Sequence, residues 1–262
     1  MIPALVYGKL SREQENLEDL LTSNVFGLLR YLTYENGLYQ FLSHIDDGEI
    51  LRALPTPVEG LTAEYEFWPW LSTDGGIGCE PDVLITLSIN STVLVCLLVE
   101  AKHLSEKSSY ADPKSRQVTD QLAREWLCLV NRCNQRGGRP FMLYLTGHQG
   151  RPIADIDDAA KEIRDKLPGV AAAFPLQCAW LSWRHLVSAF EERVGVVQAD
   201  LLALAERMDF RFFAGIHPIY PAGEDLWRFQ QRFPFGGFSA PASGRGMVSS
   251  ESPIDKLWGF QS

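Results

Sequence analysis

Two acids and a lysine stand where apolar runs begin and end. The run "TVLVCLLVEAK" (92–102) is almost wholly apolar until it closes on Glu100, Ala101 and Lys102, and "EPDVLITL" (80–87) carries Asp82 where a second apolar run gets under way. Side chains alternate faces along a strand, so Glu100 and Lys102 point one way and Ala101 the other. The polar "NST" at 90–92 reads as a hairpin turn between the two runs. Eight residues separate Asp82 from Ser91 and eight separate Ser91 from Glu100, so antiparallel pairing sets the two acids side by side. Carboxylates about 5 Å apart, at an effective dielectric near 20, repel by roughly 3 kcal/mol. A cation has to offset that. Lys102 is one candidate; a divalent ion is a better one, because hard oxygen ligands on a rigid edge suit Mg²⁺ with waters completing its shell.

The elements that must position these residues are legible in outline. The stretch 11–32, "SREQENLEDLLTSNVFGLLRYL", reads as a helix capped by Ser11, with Leu17, Leu21, Val25, Leu28 and Leu32 at helical spacing. Glu18 lies at the margin of that stripe and is aimed at the sheet as a third acid, whereas Glu15 and Asp19 lie further from it. A strand over 63–70 follows, then the hairpin of 82–89 and 93–102. A long helix at about 115–135 carries Val118, Leu122, Trp126, Leu129, Val130 and Cys133 on one side. Strands at 141–148 and 176–183 alternate with a helix at 155–167, and further helices cover 184–193 and 197–210. That order predicts an α/β domain, a mixed sheet with helices on both faces, over residues 1–235. Residues 236–262 are rich in Gly, Ser and Pro and read as an irregular tail whose "KLWGF" is apolar enough to dock on the domain or a partner.

"EPD" at 80–82 followed by "VEAK" at 99–102, between a helix bearing an acid and a helix bearing "DQLAREW" (120–126), resembles the PD-(D/E)XK nuclease superfamily, the restriction-endonuclease-like fold. The resemblance covers roughly residues 11–183. It implies that Asp82 and Glu100 bind Mg²⁺, or Mn²⁺, together with the backbone carbonyl of Ala101, and that the helix acid of the family corresponds to Glu18. It further implies that Lys102 orients or deprotonates the attacking water and stabilises the transition state, with Gln121 assisting. Hydrolysis of a phosphodiester, most often in DNA, follows from the resemblance, as does a place in bacterial restriction or antiphage defence. A homodimer, or a partner protein that targets the nuclease, belongs to the same expectation.

Plainer readings stand beside these. Glu100 and Lys102 also suit a solvated strand end, and Gln121, off the apolar stripe, suits a surface position equally well. Glu80 reads as an exposed neighbour, Glu64 and Glu66 as strand-face polar residues, and His103 and His148 as structural. Trp68, Trp70, Trp180 and Trp183 read as core rather than as base-stacking platforms. Lys107, Lys114, Arg116, Arg124, Arg132, Arg136 and Arg139 gather around the long helix and could meet phosphates, though a solvated helix face explains them as well.

Bulk properties bound the rest. The 262 residues are 46% hydrophobic with seven Trp and fourteen Phe, which supports a packed core. A net charge of −9 argues against a protein that coats nucleic acid broadly, but leaves room for a local basic groove. No apolar run reaches the roughly 18–20 residues of a membrane span, and the N-terminus makes a poor secretion signal, so a cytoplasmic protein is expected. The five cysteines contain no CxxC and read as reduced packing residues rather than zinc ligands. Against the nuclease stand a non-catalytic scaffold that keeps the fold and uses its tail as a contact, and a phosphohydrolase of small nucleotides.

Overall fold

The computed structural model of the chain describes residues 18–45, 47–192 and 195–211; the tail at 236–262 and the Ser11 cap lie outside them. In chain order the elements are α1 (Glu18–Leu29), α2 (Leu38–Leu42), α3 (Gly48–Ala53), β1 (Leu61–Phe67), β2 (Leu71–Ser72), β3 (Gly78–Cys79), β4 (Val83–Ile89) and β5 (Thr92–Lys102). They continue with α4 (Gln121–Arg136), β6 (Arg139–Thr146), α5 (Ile153–Lys166), α6 (Pro168–Ala173), β7 (Cys178–Ser182), α7 (His185–Phe190) and α8 (Val196–Arg207). Five strands form one sheet in the order β1-β4-β5-β6-β7, antiparallel from β1 to β5 and parallel from β5 to β7. The fold is thus α/β, with a mixed sheet flanked by helices on both faces.

Strand alternation sorts the core into two layers. Val83, Ile85, Leu97, Val99, Ala101, Leu143 and Leu145 face α1, α2, α7 and α8. Leu84, Cys96, Leu98, Met142 and Tyr144 face α4, α5 and the small β2–β3 hairpin. β5 lies at the centre and is buried over its last eight residues, because both faces are covered. Val118, Leu122, Trp126, Leu129, Val130 and Cys133 are all buried, as their periodicity predicts, and the five cysteines are free and buried. On α1 the buried side runs through Leu21, Val25, Phe26 and Leu29, while Leu28 and, past the helix end, Leu32 are half-buried against the same layer. Among the described residues no helix is long and apolar enough to cross a membrane.

The hairpin that joins the two acids differs from the sequence expectation in two ways that cancel. Its turn is two residues, Asn90 and Ser91, with Ile89 opposite Thr92, rather than the three-residue "NST". Both turn residues are left-handed, with φ of 49° and 67°, as a tight turn matched to strand twist demands. Leu94 then bulges: Ser88 pairs with Val93 and Leu87 with Val95. The extra residue restores the register counted from the sequence, so Val83 lies opposite Val99 and Asp82 falls beside Glu100. Helix α4 starts at Gln121 rather than near Ser115, because the Asp120 side chain accepts the Ala123 N–H and caps it there. The two-residue turn tests directly. Ser91→Gly removes the cost of a left-handed L-residue and should raise the unfolding free energy by about 1 kcal/mol, read from the urea midpoint.

Candidate functional site

Asp82 sits just ahead of β4, pinned at both ends. Its carbonyl accepts the Trp68 N–H at 3.0 Å, and its Oδ2 accepts the Ala101 N–H at 2.8 Å. The second contact reaches across to the end of β5, where Glu100 and Lys102 project from the α4 face. Lys102 Nζ lies 2.6 Å from Glu100 Oε1 and 3.2 Å from Glu18 Oε1. Glu18 Oε2 accepts the His103 N–H at 2.8 Å and a bond from the Ser105 hydroxyl. The buried Trp183 indole donates to the Lys102 carbonyl at 3.1 Å, which fixes the backbone that carries the lysine. Glu18, Asp82, Glu100, Ala101 and Lys102 therefore meet at one end of the central strand.

Gln121 joins them from α4. Its Nε2 donates to Glu100 and, at 3.0 Å, to Glu125 Oε1, while its Oε1 accepts the Ser108 N–H at 2.7 Å. Gln121 is buried, so the surface alternative is overturned for it. The start of α4 is held in place by a chain of charges. Lys107 Nζ lies 2.6 Å from Asp120 Oδ2, with both side chains fully enclosed. Glu162 on α5 accepts the N–H groups of Thr119 and Asp120, and Lys166 balances it.

Glu125 was not singled out by the sequence reading. It stands four residues after Gln121 in "DQLAREW", on the same helix face, and that spacing was the available signal. Its Oε2 is buried with no donor beside it, and Glu100 lies within hydrogen-bonding reach of the carboxyl. Burial, with the charge of Glu100, raises the Glu125 pKa well above the ordinary carboxylate range. Burial also raises Asp82, and Glu100 adds to it, taking the carboxyl from 3.8 to about 7. Burial raises Glu100 against the pull of Lys102. Burial works against the Lys102 charge as well, but Glu100, Glu18 and Asp82 outweigh it and hold the ammonium well above its usual value.

Acids outnumber cations here, and every donor is a hard oxygen, which suits Mg²⁺ or Mn²⁺ in chemistry. In this arrangement the Lys102 ammonium lies between Glu100 and Glu18. Among the described residues no group of three or more His, Cys, Asp or Glu side chains is gathered as a metal cage. The contact that Ala101 makes to Asp82 runs through its N–H rather than its carbonyl.

Several expectations change. Lys107 is an interior ion-pair partner and not a phosphate contact. Arg132 pairs with Glu66 at 3.1 Å, and Arg124 donates to the Gly78 carbonyl and the Ser109 hydroxyl. Trp180 and Trp183 are core, but Trp68 and Trp70 are 39% and 70% exposed because β1 ends at Phe67 and the chain turns outward. Glu80 is exposed, as expected. Comparison with protein-family models, with curated proteins and with solved structures finds no match.

Two outcomes test the electrostatics in EDTA. Lys102→Met leaves buried carboxylates uncompensated and should cost about 3–5 kcal/mol in urea unfolding at pH 7, with Lys102→Met/Glu100→Gln recovering much of it. The raised Asp82 pKa means that the native state keeps a proton the unfolded chain releases between pH 3.8 and about 7. Wild-type stability should therefore fall as pH rises through that window, with Asp82 accounting for up to roughly 4 kcal/mol of the decline. Asp82→Asn, which does not titrate, should flatten that decline.

Proposed function

We propose that the chain is a Mg²⁺-dependent nuclease of the PD-(D/E)XK type, with a restriction-endonuclease-like fold, that hydrolyses phosphodiester bonds in DNA. The observation that carries this reading is the convergence of Asp82, Glu100 and Lys102 at the end of one hairpin, with Asp82 Oδ2 bonded to the Ala101 N–H 2.8 Å away. A sheet in which an antiparallel hairpin leads into a parallel pair, with α1 and α4 on opposite faces, supports it.

Asp82 and Glu100 would hold the metal, with the carbonyl of Ala101 and with Glu18 at the margin. The chemistry such a metal would supply there is polarisation of a phosphoryl oxygen and activation of water. Lys102 is held protonated by its acids, so its part is to meet negative charge as it grows on the phosphate. Gln121 keeps the Glu100 carboxylate aimed, and Glu125 anchors the same Gln121 amide. Burial lowers the His103 pKa, against the pull of Glu18.

A second reading, a non-catalytic scaffold, is favoured by one observation: Lys102 is already shared between Glu100 and Glu18. A cleavage assay separates the two. Plasmid and single-stranded DNA incubated with Mg²⁺ or Mn²⁺ should be cut, EDTA should abolish cutting, and Asp82→Asn or Lys102→Ala should lower the rate at least about 100-fold. Cleavage that persists in EDTA or in Lys102→Ala refutes the nuclease, and no cleavage by the wild type favours the scaffold.

A further inference from the structure

A cleft of about 430 Å³ opens between the β2–β3 turn and the start of α4, lined among others by Gly75, Gly76, Gly78, Arg116, Arg124 and Lys166. In a chain of net charge −9 three cations on one cleft stand out. Lys166 is balanced by Glu162. Arg116 is exposed, and Arg124 bonds only neutral oxygens, those of Gly78 and Ser109; among the described residues neither forms an ion pair with a carboxylate. An aromatic stands next to one lining residue, outside the cleft's own lining. The Trp70 ring lies so close to Gly78 at the start of β3 that a Cβ there would meet its Cζ2 at 2.6 Å, so glycine is what lets the indole pack on the strand. Trp70 is itself 70% exposed, so much of the indole meets solvent.

The cleft adjoins the candidate site by two routes. Arg124 stands three residues after Gln121 on α4, about one turn along, and Gln121 holds Glu100. Gly78 precedes Asp82 by four residues, which caps their separation at about 14 Å. Trp68, also exposed, donates its N–H to the Asp82 carbonyl.

We infer that this cleft binds a single strand of DNA on its way to Asp82, with Arg116 and Arg124 on the phosphates and an unpaired base stacked on Trp70. The inference rests on the nuclease reading for the fate of the strand and deepens it by naming an unpaired strand as the substrate. The chemistry favours a single strand over a duplex, because a protruding indole needs an open base face and guanidinium groups track a flexible backbone. Spaced cations without an aromatic would favour no particular strand form.

Binding in EDTA tests this apart from catalysis. The full-length chain is titrated into fluorescein-labelled oligo(dT) and into a duplex of equal length, and anisotropy is read at several salt concentrations. The wild type should prefer the single strand by at least tenfold. Trp70→Ala should weaken single-strand binding by about tenfold or more while Trp70→Phe retains most of it, and Arg116→Gln should reduce the salt slope by about one. Trp70 and Arg116 are exposed, so matching thermal melts will show the variants folded. Equal binding by wild type and Trp70→Ala, or a preference for duplex, overturns the inference. Cleavage with unaltered Trp70→Ala binding would leave the nuclease standing and sink the strand site. Binding that depends on Trp70 without metal-dependent cleavage would do the reverse.

Discussion

The end of β5 holds one buried ammonium among carboxylates, and the surrounding fold is arranged to make that tolerable. Taking charges out of water costs several kcal/mol each unless partners repay it, so Lys102 and its acids constrain one another's positions closely. Glu100 comes from the same strand, Asp82 from its hairpin neighbour, Glu18 from the helix on one face and Gln121 from the helix on the other. A surplus of acids over cations remains even so. It shows in the raised pKa values of Asp82 and Glu125. A divalent ion would relieve that surplus, which is why a charge-rich interior here reads as a site and not as packing.

Positioning depends on a detail of backbone registry. A one-residue slip between strands turns every side chain to the other face. The tight Asn90–Ser91 turn alone would place Asp82 out of step with Glu100; the bulge at Leu94 puts it back. The bulge also places Leu94 and Val95 on the same face, against the layer of α1. Apolar packing at one end of the hairpin thus sets the pairing of acids at the other.

A second buried ion pair does similar work for α4. Lys107 and Asp120 lie wholly inside, with Asp120 also capping the helix and Glu162 accepting the N–H groups just before it. These contacts tie the loop of 105–119 to the helix and keep Gln121 at the first helical position, pointed at Glu100. The loop gains its order from charge and hydrogen bonding, since it offers few apolar side chains. The cleft lined by Arg116 and Arg124 borders the same strapped segment.

Periodicity and charge placement in the chain determined the α/β class, the central hairpin, the apolar side of α4 and the gathering of Glu18, Asp82, Glu100 and Lys102, because strand alternation and helical spacing are local properties that survive without tertiary knowledge. Equidistance from Ser91 led to the right neighbours, though by way of a turn and a bulge that offset each other. The burial of Lys107, the exposure of Trp68 and Trp70, and the role of Glu125 were decided only in three dimensions. A lysine beside a helix looks the same in sequence whether its acid lies inside or it meets solvent. A tryptophan just past a strand is core or surface according to where the chain turns. A glutamate one turn beyond Gln121 has its pKa raised only once the fold buries it and removes the water that would have favoured its charge.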